Sequence, residues 1–276
     1  MYTKFGLTLL LGLLPLCALY AQNPRAATPD EIVRQLTHSD YRIVFDGVSS
    51  YMGFSPDQRT SAMKAALVQA LKNQNERIRQ IELRRAETGS TIYLYEDHGS
   101  AEMALHLVEE VSELKDPRTI PLLLRWSGMD DEIIDFGRQA FEPVLKFVET
   151  PEPGIGRSAL RRRIYTLRMM VDYWGLSTFS ASELERMKQV ATKYIFSYDP
   201  NSEKNFSFLM DSSIRLAASL REGALLQMAH ALVNDDAEMA KRGYTTPEWV
   251  RETAAKALAG TLEERQYVRY EERKRH

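Results

Sequence analysis

The feature that most restricts this chain is a stripe of apolar residues between Ile133 and Val148. Phe136, Gly137, Ala140, Phe141, Val144, Leu145 and Val148 follow Ile133 at offsets of 3, 4, 7, 8, 11, 12 and 15. A 3.6-residue period puts all of them on one side, so the segment reads as an amphipathic helix sustained over about four turns. Such a stripe has to be covered by other elements. Pro143 falls inside the run, where its missing N–H and its ring predict a kink.

The same period recurs along the chain. Ile32, Val33 and Leu36 predict a short helix capped by Asp30, and Tyr41 to Phe54 reads as a second despite Gly47 and Gly53. Ser55-Pro56-Asp57 opens a long segment to about Ala86, with Met63, Leu67, Ala70 and Leu71 at helical spacing. Further stripes run from Ala104 to Leu114, Ile120 to Leu124, Leu160 to Trp174, Leu184 to Ile195, Phe206 to Leu220, Leu225 to Leu232 and Val250 to Leu258. Asp116-Pro117, TPEPG (150–154) and Tyr198-Asp199-Pro200-Asn201 punctuate them as turns. Ile92 to Tyr95 has strand-like composition, but no second strand is available to pair with it, so it reads as a loop or a helix entry. The expected fold is all-α, with consecutive helices packed antiparallel across short connections. Ile133, Phe136, Phe141, Val144, Leu167, Val171, Ile214, Val250 and Leu258 are expected in the core.

Helix starts pair at spacings of roughly 35–50 residues, the range of two-helix repeats. Two pieces carry more detail. One is DPRTIPLLLRW (116–126) followed by DDEIIDFGRQAFEPVL (130–145); the other is PEWVRETAAKALAG (247–260), where Val-Arg precedes small residues at helical spacing. These pieces resemble HEAT repeats. They depart from the pattern at Asp135, where the family has Arg, and in the insert NDDAEMAKRGY (234–244) ahead of the last helix. The resemblance implies antiparallel helix pairs stacked as a HEAT-like α-solenoid, with a long curved face of the kind that binds proteins or peptides. It does not name a function, because this fold hosts many.

The N-terminus sets the address. Lys4 precedes an uncharged apolar run from Phe5 to Leu19, and Leu19-Tyr20-Ala21 ends in a small residue, the order of a secretory signal peptide. The run is shorter than the roughly 20 residues of a membrane span. A lipid-modified Cys17 is the alternative, disfavoured by the bulk of Leu16 just before it. The expected organisation is a signal peptide (1–21), a flexible leader (22–30), an N-terminal helical region (31–98), HEAT-like repeats (99–262) and a charged tail (263–276), in a periplasmic or secreted protein.

Cleavage removes the only cysteine and Lys4, so 36 − 1 = 35 basic residues face 38 acidic ones, a net charge of −3. The mature chain then has no disulfide, no thiolate nucleophile and no thiolate metal ligand. Near-balanced charge argues against nucleic acid as partner, and no segment of spanning length remains.

Catalytic chemistry finds little purchase. His38, His98, His106 and His230 do not pair at ligand spacing, so no metal site is expected. Acidic pairs such as Glu109-Glu110, Asp130-Asp131 and Asp235-Asp236 are read as caps and solvated faces. The residues indicate no enzyme and no cofactor. They indicate an interaction scaffold, with an accessory or regulatory subunit of an envelope enzyme, or an enzyme of unrecognised type, as the alternative. The one candidate binding set is Arg157, Arg161 and Arg168, which fall within about 40° of one another beside an apolar stripe. Arginine suits carboxylates and phosphates, so the partner expected there is an acidic protein or peptide, or an anionic glycan. Mass spectrometry of the exported protein is expected to find a chain beginning at Gln22. A cytoplasmic species beginning at Met1 would refute export, and one beginning at a lipid-bearing Cys17 would establish the alternative.

Overall fold

The computed structural model describes residues 27–88, 98–126, 128–153, 155, 157–197 and 203–262; within these, the side chains of 85–88, 98–103, 157 and 203–206 fall outside the description. The expected signal peptide, the loop at 92–95, the turn at 198–201 and the charged tail lie outside the described residues. Every regular element among the described residues is helical. The α-helices are α1 (Pro29–Leu36), α2 (Tyr41–Met52), α3 (Ser61–Thr88), α4 (His98–Glu113), α5 (Ile120–Leu123), α6 (Asp130–Ile134), α7 (Phe141–Glu149), α8 (Arg157–Trp174), α9 (Ala181–Phe196), α10 (Glu203–Ser219), α11 (Gly223–Val233), α12 (Asp236–Lys241) and α13 (Glu248–Ala259). None is long and apolar enough to cross a membrane.

Several starts follow from capping. Thr28 and Glu31 form a reciprocal capping box at α1, as do Ser180 and Glu183 at α9. Each side chain satisfies a backbone N–H that the first turn leaves without a partner. Asp30, expected as the first cap, instead lies inside the first turn of α1, because Thr28 occupies the capping position. Asp40 and Asp235 cap α2 and α12. Gly260, at φ 69°, ends α13 in the left-handed conformation that glycine reaches without strain.

A contiguous apolar core runs from Ile32 to Ala257. At the N-terminal end α1 packs on α2 and α3, and α4 on both α2 and α3. Further along, α8 packs against α7 and α10, α10 against α9 and α13, and α13 against α11. Thus α8, α10 and α13 lie side by side, each with a preceding helix against it. Polar bridges join α7 to α9. The Tyr194 hydroxyl donates to the Val148 carbonyl at 2.8 Å, and Arg186 holds Glu142 and Glu149 at 2.9 and 2.7 Å. Burial pushes the Tyr194 phenol up to about 12.

The expected core is buried at Ile133, Phe136, Phe141, Val144, Leu167, Val171, Ile214 and Val250, but Leu258 is 42% exposed. Its neighbours Ala254 and Ala257 take the inward positions, and Leu258 lies one step, about 100°, past the seam. The four-turn helix expected at 133–148 is also broken. Gly137 adopts φ 63°, and a 3-10 turn (Gly137–Ala140) separates α6 from α7. Pro143 sits in the first turn of α7, where an N–H is not needed, so it does not kink the helix.

Gly47 explains how a helix with an interior glycine survives. A Cβ there would lie 2.8 Å from Cβ of Gln35 and 3.0 Å from the Leu36 backbone nitrogen, so α1 can approach α2 only against a bare Cα. Alanine within a helix ordinarily gains about 1 kcal/mol over glycine. Here Gly47→Ala is expected to lower stability, because the obstructing atoms are backbone or rigidly attached to it. Chemical denaturation reads the sign, and a stabilised variant would refute this packing.

Candidate functional site

Helix α8 carries five arginines, and the structure sends them to different places. Arg163 is fully buried. Its Nη2 lies 3.3 Å from Asp130 Oδ1 and donates to the Trp126 carbonyl at 3.0 Å. Arg162 approaches the other oxygen of Asp130 at 3.5 Å. The Thr166 hydroxyl lies 2.7 Å from Asp130 Oδ1, and Trp126 itself donates its indole N–H to Asn75 at 2.7 Å. Asp130 therefore serves as a buried countercharge instead of the exposed cap expected from sequence, and Glu110 does the same for Arg59 at 2.7 Å. Burial brings the Arg163 guanidinium down to about 10, partly opposed by Asp130, so it stays charged at neutral pH. This cluster clamps α6 to α8 and spends the Asp130 carboxylate on three side chains.

Of the three candidate binding residues, the side chain of Arg157 lies outside the described residues. Arg168 is 4% exposed and donates from Nε to Asp172 one turn on, at 3.1 Å. Arg161 is half-buried, with its guanidinium 4.8 Å from the centre of the Phe208 ring. Burial holds it below the usual arginine range, and the adjacent Arg162 pushes the same way. Arg161 and Arg168 are seven residues apart, about 10 Å along the helix. They belong to different surroundings.

Arg168 borders a cleft of about 360 Å³ with Asp172, Ala218, Arg221, Ala257 and Gly260. The C-terminal ends of α8, α10 and α13 meet at this cleft. Each end carries roughly half a negative charge, which the arginines answer. Arg221 holds φ 58°, a left-handed position at the end of α10 where glycine is usual. A second groove, of about 810 Å³, lies between α3 and the end of α4, with Arg59, Lys64, Lys72 and Glu113 among its lining.

Arg161 belongs to a third arrangement. Phe208 on α10 stands 5.1 Å, centre to centre, from Trp249 on α13, and the planes are tilted by 33°. Phe208 is 43% exposed and Trp249 39%, so both rings reach solvent. Arg161, Phe208 and Trp249 thus form a ladder across three side-by-side helices, near the start of each. Behind it, Arg215 joins Asp211 at 2.9 Å and donates to the Thr253 hydroxyl at 3.1 Å, which fixes α10 to α13. Cation–aromatic and aromatic pairs of this sort contribute about 0.5–1.5 kcal/mol each.

Sequence reasoning missed Phe208 and Trp249. The available signal was two large aromatic residues off the inward stripe, at early positions of α10 and α13. The histidines stay local. His38 Nδ1 accepts from the Asp40 N–H at 2.9 Å, and His106 lies 3.1 Å from Glu109. Among the described residues no group of three potential metal ligands converges. Comparison with protein-family models and with curated proteins found no match.

The Asp130 cluster reads as structural, and that reading is testable. Asp130→Ala leaves Arg163 buried without its countercharge, which is expected to cost about 3–5 kcal/mol. Asp130→Ala combined with Arg163→Leu should recover much of that loss. Denaturant melts of the two variants decide it; equal losses would show that the charges are not paired energetically.

Proposed function

We propose that this chain is an exported, non-catalytic scaffold of the HEAT-like α-solenoid kind, acting in the periplasm or secreted space. In this reading α7–α8, α9–α10 and α11–α13 are successive antiparallel pairs, with α12 an insertion in the last. The first helices begin at 141, 181 and 223, spaced by 40 and 42 residues, and the second helices at 157, 203 and 248, spaced by 46 and 45. Both series lie in the range of two-helix repeats. The pairing differs from the one expected from residues 116–145, because α6 and α7 are both followed by α8 as their main packing partner.

The observation that carries the function is the Arg161–Phe208–Trp249 ladder. Trp and Arg dominate the energetics of protein interfaces, since they bring large contact area and directed polar groups together. One such residue at the surface is ordinary, whereas three in van der Waals or cation–aromatic register across three repeats make a continuous face. On this reading that face holds a partner protein, and Arg161 is the binding arginine among the three expected. Arg168 supports the helix ends, with Asp172 as its partner.

The test is site-specific photo-crosslinking in the native host. A photoreactive residue at Phe208 or Trp249 is expected to give discrete covalent adducts with another protein. The same residue at the exposed Gln189 on α9 should give none. Adducts absent from the ladder, or equally abundant from Gln189, would refute the assignment.

A further inference from the structure

We infer that the ladder receives an extended acidic segment of its partner protein, with one carboxylate on Arg161 and a flat apolar side chain, aromatic or proline, against Trp249. This rests on the scaffold reading and narrows it to a chemistry. The argument begins with what Arg161 lacks. Arg162 and Arg163 share Asp130, Arg168 has Asp172, and Arg215 has Asp211. Among the described residues no carboxylate forms an ion pair with Arg161; Asp211 on α10 binds Arg215 through Oδ2 at 2.9 Å, and its Oδ1, which has no hydrogen-bond partner, attracts Arg161 only from a longer distance. A half-buried guanidinium has given up part of its hydration; here it has gained the face of an aromatic ring and the attraction of Asp211 and Asp130 from beyond ion-pair distance, which offsets only part of that loss. A carboxylate arriving from outside would supply the missing charge and could be held by two N–H groups at once.

The rings set the rest. Phe208 has Arg161 over it at 4.8 Å and Trp249 beside it at 5.1 Å, so a newcomer meets Trp249 as the rung with the least company. The ladder therefore extends no more than about 10 Å. An extended peptide rises about 3.3 Å per residue and points alternate side chains to the same side. Those two lengths put the acid and the flat side chain two positions apart, with the reach of the side chains covering the remaining distance. The charges described on the ladder also choose between polymers: among the described side chains of the ladder the one cation, Arg161, suits a single carboxylate beside a ring, whereas a sulfated glycan carries acid groups along its whole length and needs several cations in a row.

The experiment uses the full chain and labelled synthetic peptides read by fluorescence anisotropy. One peptide places Glu two residues before Phe or Pro in a Gly/Ser background. A second replaces Glu by Lys, a third replaces the ring by Ser, and a sulfated heparin oligosaccharide is the fourth probe. The first peptide is expected to bind, and more weakly as salt rises. Arg161→Gln and Trp249→Ala are each expected to weaken it by about tenfold or more, the loss typical of truncating a central contact. Trp249→Phe keeps a ring and should retain most of the affinity, which guards against loss of fold in the alanine variant; circular dichroism checks all three. Equal binding of the Lys peptide, no effect of Arg161→Gln, or binding of the oligosaccharide alone would each overturn the inference. Crosslinked adducts at Phe208 without binding of the first peptide would overturn this chemistry and leave the scaffold reading standing; absence of both removes both.

Discussion

The Asp130 carboxylate fixes how α8 is turned, and much of the C-terminal half depends on that setting. Successive residues on a helix point about 100° apart. Once Arg162 and Arg163 are both drawn to Asp130, Arg161 has only one direction left, toward α10, where Phe208 meets it. The same setting turns Ile164 and Leu167 inward. A buried charge pair is a poor source of net stability, because dehydrating both ions offsets most of their attraction. Its value here is rotational: an apolar stripe of leucines and valines tolerates a slip of some tens of degrees, while a carboxylate shared by two guanidiniums and a hydroxyl does not.

The fold was legible wherever one period ran without interruption. The stripes at Leu160–Trp174 and Leu184–Ile195 became α8 and α9 almost residue for residue. Failures came where backbone geometry overrode side-chain pattern. The apolar period from Ile133 to Val148 continues through Gly137, since a 3-10 turn rotates the chain little enough to keep Ile133, Phe141 and Val144 facing the same core. Hydrophobic spacing therefore cannot reveal that break, though the glycine that makes it stands in plain view.

The candidate site was harder to read, for a different physical reason. Five arginines within twelve residues look alike in sequence, and what distinguishes them is which acids lie across the packing: Asp130 is 33 residues before Arg163, while Phe208 is 47 after Arg161. A helical projection places Arg161 and Arg168 on one side but is blind to the distance along the axis that separates a ring-backed arginine from one paired with Asp172. Phe208 and Trp249 were hidden by the opposite effect, since an aromatic residue off the stripe carries no period of its own.

Trp249, the outermost rung, rides on α13, whose chief neighbours are α10 and α11. A short helix with few packing partners can open locally at a lower free energy than global unfolding requires. The ladder can thus be dismantled by fraying of one twelve-residue helix while Asp130 still holds α6 to α8. If a partner occupies this face as proposed, its binding and the melting of α13 are linked equilibria: a partner that grips Trp249 also tightens α13, and loosening α13 releases it.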